Sequence, residues 1–157
     1  MEESISETLP PIVLVTSDDG EIIDYNDGDV SVVLASGEGT GGAFSVVEHR
    51  LGPKALGPPL HRHQRLCDSF YVLEGTVTFR VEDRTVEGNP GAYVCFPPGV
   101  AHTFRNDSDQ PVRVLNINAP GGWDRVLRDV AAASRTGAVG PAETGRIAAR
   151  YDMIVLE

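Results

Sequence analysis

The sequence predicts an all-β domain with a short helical tail, and three observations carry that reading. Glycine and proline number 17 and 11 among 157 residues and are spread along the chain. Between them lie many short runs in which apolar and polar residues alternate. The alternation gives way to a helical spacing only after Pro120. Regular punctuation of alternating runs marks short strands folded into a sandwich or barrel.

Taken in order, strands are expected near 12–16, 21–25, 29–36, 43–51, 60–63, 68–75, 76–82, 91–96, 101–106 and 111–118. The clearest is the run from Thr76 to Val81. Val77, Phe79 and Val81 fall on one face and Thr76, Thr78 and Arg80 on the other, because side chains alternate along a strand. The Glu74-Gly75 step before it fits a tight turn between paired strands. Beyond Pro120, Trp123, Val126, Leu127 and Val130 recur at i, i+3, i+4 and i+7. That is an amphipathic helical stripe, which Gly121-Gly122 can start. A second helix is expected from Ala142 to about Tyr151, after a small, polar loop at 134–140. The helices are too short to form a unit of their own, so they are expected to pack on the sheets. A lid over one barrel mouth or a dimer contact is the bolder role for the Trp123 stripe. The first ten residues read as a mobile arm. One domain over 1–157 is expected at this length.

Composition narrows the function. The chain has 23 acidic and 13 basic residues, a net charge of −10. Nucleic acids and anionic membranes need a basic footprint, so neither is an expected partner. No apolar run approaches the roughly 20 residues needed to span a bilayer. The opening MEESISETLP is polar and acidic, unlike a secretory signal. Cys67 and Cys95 are too few for a disulfide scaffold and fit no zinc spacing, so both read as buried thiols. A cytoplasmic protein with a small-molecule or protein partner is the expectation.

The histidines carry the chemistry. His61 and His63 are separated by one residue, so in an extended segment both imidazoles point to one side. Asp68 follows five residues later, and His102 follows the rigid Pro97-Pro98-Gly99 turn. Imidazoles with a carboxylate suit Zn, Cu, Fe and Ni, and Mn also accepts them. A solitary histidine more often serves the fold, and His49 is read that way. Phe70 and Val72 share the face of Asp68, and Phe104 shares that of His102. These three are candidates for the apolar lining of a substrate pocket, with ordinary core as the plainer role.

The spacing extends beyond the histidines. Gly57-Pro58-Pro59-Leu60-His61-Arg62-His63-x4-Asp68-x6-Gly75 is followed, after 15 residues, by Gly91-x5-Pro97-x-Gly99-x2-His102-x3-Asn106. This resembles the two signature motifs of the cupin superfamily over roughly residues 43–118. The resemblance implies a jelly-roll β-barrel with the helices packed on it. It also implies a divalent metal held by His61, His63, Asp68 and His102. Iron, manganese, nickel, copper and zinc are all compatible. There are two departures. Ala55 stands where the first motif usually has glycine, with Gly52 and Gly57 near enough to shape that loop. Asp68 stands where the family usually has glutamate, one C–C bond or about 1.5 Å shorter.

Three neutral imidazoles and one carboxylate leave a divalent site with net charge +1, which attracts an anionic oxygen donor. Small cupins of the flavonol- and quercetin-dioxygenase type imply an oxidoreductase that brings a hydroxy-ketone or enol together with O2. Asp68 would then double as the base that takes the substrate proton. The alternatives are a metal-assisted isomerase, cyclase or lyase without O2, or a cupin that only binds a small molecule. The family also implies a homodimer paired through edge strands.

Overall fold

A computed structural model describes residues 12–157. The expected mobile arm at the first ten residues lies outside the described residues. In chain order the elements are β1 (Glu21–Asp24), β2 (Val30–Ala35), β3 (Ser45–Leu51), β4 (His61–Arg62), β5 (Cys67–Glu74) and β6 (Val77–Val81). They continue with β7 (Arg84–Gly88), β8 (Tyr93–Phe96), β9 (His102–Arg105), β10 (Val112–Ala119), α1 (Trp123–Ser134), α2 (Pro141–Ala148) and β11 (Ile154–Val155).

The strands form two antiparallel sheets, a six-stranded one ordered β1-β2-β3-β10-β5-β8 and a five-stranded one ordered β11-β4-β9-β6-β7. Each combines sequential hairpins with pairings between strands distant in sequence, such as β3 with β10 and β4 with β9, consistent with a jelly roll. The two sheets are not hydrogen-bonded into one closed cylinder, so the barrel is an open sandwich. The apolar faces meet in a core of Leu51, Phe70, Val72, Val77, Phe79, Phe96, Val112 and Val114. This cluster fills one end of the space between the sheets. The other end is polar and carries the histidines.

The Trp123 stripe forms α1, as its spacing predicts, and Pro141 opens α2 at a position where its missing N–H costs nothing. Ala131 of α1 packs on Ile23, Val33 and Val47 of the six-stranded sheet. Val126 and Val130 meet Ile147 and Ala148 of α2 and Met153 beyond it. No described helix is long and apolar enough to cross a membrane.

Four details differ from the sequence expectation. Residues 12–16 pair with no strand, and Ile12 and Leu14 are exposed, so an apolar run found no ladder partner. Strand β7 was not expected, because it is an edge strand with four exposed residues and no buried alternating face. Glu74-Gly75 does turn the chain, with Gly75 at φ +76°, but β5 and β6 lie in different sheets rather than pairing. Finally, β11 pairs with β4 and brings the chain beyond α2 against the histidines.

Candidate metal centre

Strand register gathers the site. His61 in β4 lies directly opposite His102 in β9, so both imidazoles leave the five-stranded sheet toward its partner. His63 follows two residues after His61 on the same side. Asp68 enters from β5 of the facing sheet, where it pairs with Phe96 on one side and Asn118 on the other. The four residues are buried, and one ligand atom from each lies within 4.8 Å of all the others. Asp68 Oδ2 is 2.9 Å from His102 Nε2 and 3.6 Å from His63 Nε2. The shorter aspartate therefore reaches the histidines.

Close-packed partners set the ring orientations. Nδ1–H of His61 donates to the Pro59 carbonyl at 2.7 Å, and that of His102 to the Val100 carbonyl at 2.9 Å. His63 Nδ1–H donates to the carbonyl of Asp152. Each proton is thereby committed at Nδ1, which leaves the Nε2 lone pairs facing inward. Phe96 stacks on His102 with ring centroids 4.2 Å apart and planes at 9°. Trp123 meets His63 edge-on at 4.9 Å.

This donor set fits a divalent cation. Three imidazole lone pairs and a carboxylate converge in a buried space, an arrangement that repels itself unless a positive charge lies among the four atoms. Without an ion, the neighbours set the protonation tendencies. Burial, reinforced by the charge of His102, pushes His61 down to about 4. Burial opposes ionisation of Asp68, but His102 and His63 outweigh it and hold the carboxyl well below its ordinary range. For His63 burial acts downward, and the hydrogen bond and charge of Asp68 reverse it to a net upward shift.

The other oxygen of Asp68 is occupied by protein. Oδ1 accepts from Asn116 Nδ2 at 2.6 Å and from Asn118 Nδ2 at 2.7 Å. Asn116 also donates to the Ser69 carbonyl, so its Oδ1 is free to accept from His49 Nε2 at 3.3 Å. His49 Nδ1 then accepts from Ser31 Oγ at 2.7 Å, and Ser31 Oγ accepts from the Tyr25 hydroxyl at 2.8 Å. The donors of Tyr25, Ser31, His49 and Asn116 all point toward Asp68, since a carboxylate can only accept. The burial of His49 lowers its pKa, consistent with the neutral ring that this chain requires.

A cavity of about 540 Å³ opens beside the centre. His61, Asp68, His49 and Asn116 form its polar floor, and Phe104 with the α1 residues Trp123, Val126, Leu127 and Val130 lines its walls. The helical stripe therefore borders the cavity. Of the three residues expected to line a pocket, Phe104 does so. Phe70 and Val72 lie in the apolar core instead, because the shared face of β5 runs past the polar end into the packed end.

Sequence reasoning took His49 as a fold residue and missed Asn116, Asn118 and Asp152. A signal existed for the asparagines. They follow Val112 and Val114 at i+2 steps on one face of β10, two amides on an otherwise apolar face. Asp152 had no such signal. Its carboxylate accepts from the backbone N–H groups of Gln64, Arg65 and Leu66 at 2.7–2.9 Å, contacts that exist only after β11 docks. The cysteines also differ from expectation, since Cys95 is exposed and Cys67 half-buried.

Comparison with known proteins agrees with this architecture. The cupin domain model matches residues 47–118. The chain is 29% identical over 126 residues to a quercetin 2,3-dioxygenase of Bacillus subtilis (strain 168). That match covers 69% of this chain but only 37% of the relative's length. A sugar phosphate isomerase structure from Silicibacter pomeroyi is 28% identical with a TM-score of 0.54, covering 60% of this chain and 61% of that one. The polyketide cyclase RemF from Streptomyces resistomycificus aligns with a TM-score of 0.59 at 24% identity, covering 69% and 79% of the two chains, a likeness of fold. Two facing antiparallel sheets, both histidine motifs and a cupin domain match over residues 47–118 that spans them support a cupin superfamily protein.

Proposed function

We propose that this protein is a metal-dependent oxidoreductase that joins O2 to a hydroxy-ketone, enol or flavonol-like molecule. His61, His63, Asp68 and His102 hold the metal, one of iron, manganese, nickel, copper or zinc. The observation that carries the reading is the convergence of ligand atoms from His61, His63, Asp68 and His102 within 4.8 Å of one another, with His61 and Asp68 opening onto an apolar-walled cavity. The relationship to a quercetin 2,3-dioxygenase supports the reaction class. The bound ion supplies a Lewis acid for an enolate oxygen and, where redox-active, a path for electrons to O2.

The protein's own groups do the rest. Phe104 and the α1 side chains hold a flat apolar substrate and exclude water from the floor. Asp68 is the base, taking the hydroxyl proton at Oδ2 while Asn116 and Asn118 hold Oδ1 in place. His49 keeps Asn116 in the orientation that presents its amide to Asp68.

The test is metal analysis of the purified protein by mass spectrometry, followed by oxygen uptake with flavonols and enolic diketones. Substrate-dependent uptake that tracks metal content supports the reading. A second reading, a metal-assisted isomerase working without O2, is favoured by the 28% identity to a sugar phosphate isomerase. Turnover that persists under anaerobic conditions selects it over the first. A protein that takes up no metal after reconstitution defeats both.

A further inference from the structure

Cys67 opens β5, and Cys95 lies in β8 beside it in the six-stranded sheet. The register pairs Asp68 with Phe96 and Ser69 with Cys95. Cys67 and Cys95 are thus diagonal neighbours, and alternation puts both on the face opposite Asp68 and Phe96. Their Sγ atoms are 3.1 Å apart although the residues are 28 positions apart in sequence. Both thiols are free, with Cys95 exposed to solvent and Cys67 partly so.

We propose that Cys67 and Cys95 are a reversible oxidation site, closing into an intramolecular disulfide across β5 and β8. A disulfide has an S–S length of about 2.05 Å, so the sulfurs need to approach by about 1 Å. Rotation about the two χ1 bonds, together with a small shift of the edge strand β8 toward β5, supplies that. The oxidant is a low-molecular-weight disulfide of the glutathione class. The thiolate of Cys95, the more accessible of the two, attacks one sulfur of R–S–S–R. The R–S–S–R bond breaks, a Cys95–S–S–R bond forms, and RS⁻ leaves and takes up a proton. The Cys67 thiolate then attacks the Cys95 sulfur, expelling the second RS⁻. The protein thiols lose two electrons and two protons, and two RSH are formed. An exposed disulfide stays open to attack by thiols, so the same steps run backward in excess RSH.

The location gives the cross-link a consequence. Cys67 directly precedes Asp68, and Cys95 directly precedes Phe96, whose ring stacks on His102. The bond would tie together, from the outside, the two strand positions that present these groups to the centre. The site rests on the thiol pair alone and stands whatever reaction the cavity performs.

The experiment uses the full chain, reduced and then equilibrated in buffers of graded reduced-to-oxidised glutathione ratio, quenched by alkylation and mapped by peptide mass spectrometry. The expected product is a peptide cross-link joining Cys67 and Cys95. It is accompanied by loss of two hydrogens from the intact mass and is fully reversed by dithiothreitol. The Cys67→Ser variant is expected to stop at one retained glutathione on Cys95, because the resolving thiol is gone. A wild-type chain that accumulates the glutathione adduct, joins to a second chain through either cysteine, or keeps both thiols alkylatable at every ratio overturns the proposal.

Discussion

Asp68 Oδ2 lies 2.9 Å from His102 Nε2, while the Nδ1 proton of His102 is already given to Val100. With His102 protonated the two form an ion pair; with His102 neutral its Nε2 lone pair and the carboxylate are two donor atoms at the separation of neighbouring ligands of one cation. Asp68 comes from β5 and His102 from β9, strands of the two different sheets. At that distance the short aspartate side chain reaches the histidine cluster.

The ligand set is tested by truncation and by lengthening. His61→Ala and His102→Ala are each expected to lower metal affinity by at least about 100-fold, more than loss of a supporting partner does. Asp68→Glu is expected to lower it as well. The added length of about 1.5 Å pushes the carboxylate off the Asn116 and Asn118 amides. Isothermal titration with Mn²⁺ or Zn²⁺ checks both, and full metal content in the histidine variants would refute the assignment.

Asn116 is expected to matter without touching the metal. Asn116→Ala removes a donor to Asp68 and strands the His49 Nε2–H in a buried site. Metal affinity should fall about 10–100-fold. Stability should fall by about 2 kcal/mol through the unsatisfied polar groups, measured by urea unfolding. The variant His49→Gln, which keeps a side-chain donor, should lose less of both.

Asp152 is expected to act through His63. Asp152→Ala releases three backbone N–H groups of residues 64–66 and loosens the segment whose carbonyl receives the His63 proton. A stability loss of about 2 kcal/mol is expected for charge-assisted bonds of this kind, with faster amide hydrogen exchange at 64–66. Unchanged exchange there would show that β11 is only a surface strand.

Acid should destabilise the metal-free protein. Burial lowers the folded pKa of His61 to about 4 and also lowers that of His49. Below an unfolded value of about 6.5, the unfolded chain binds protons that these buried rings refuse, so stability falls as pH drops from about 6.5 toward 4. His61 alone contributes on the order of 3 kcal/mol over that window. His63 opposes this. Its pKa is raised, so its contribution is present below about 6.5 and is lost as pH rises through the folded value. Two rings against one leave a net loss in acid, checked by urea midpoints between pH 4 and 8.

How much of this was legible in the chain depends on the range of the interaction. The strand from Val77 to Val81 and the α1 stripe were readable, because alternation and 3.6-residue spacing are local consequences of backbone geometry. Strand β7 was not, because its stability comes from pairing with β6 and hardly from side-chain pattern. The metal-site candidates were readable because His61 and His63 share a side by strand periodicity and His102 follows a proline-glycine turn. The polar chain through His49 was hidden, because it joins residues from the turn after β1, from β2, β3 and β10, and only sheet register brings them into line.

The sequence by itself determined which side chains can bind a metal, which runs become strands, and where the chain turns to helix. Tertiary structure alone decided that Asp68 reaches His102, that Phe70 and Val72 belong to the core rather than the cavity, and that Asp152 braces His63. It also put Cys67 and Cys95, far apart in the chain, side by side. The reason is the same in each case. Periodicity sets the direction of a side chain, but the partner it meets is set by how distant strands pair, and that pairing is fixed by burial of the whole core.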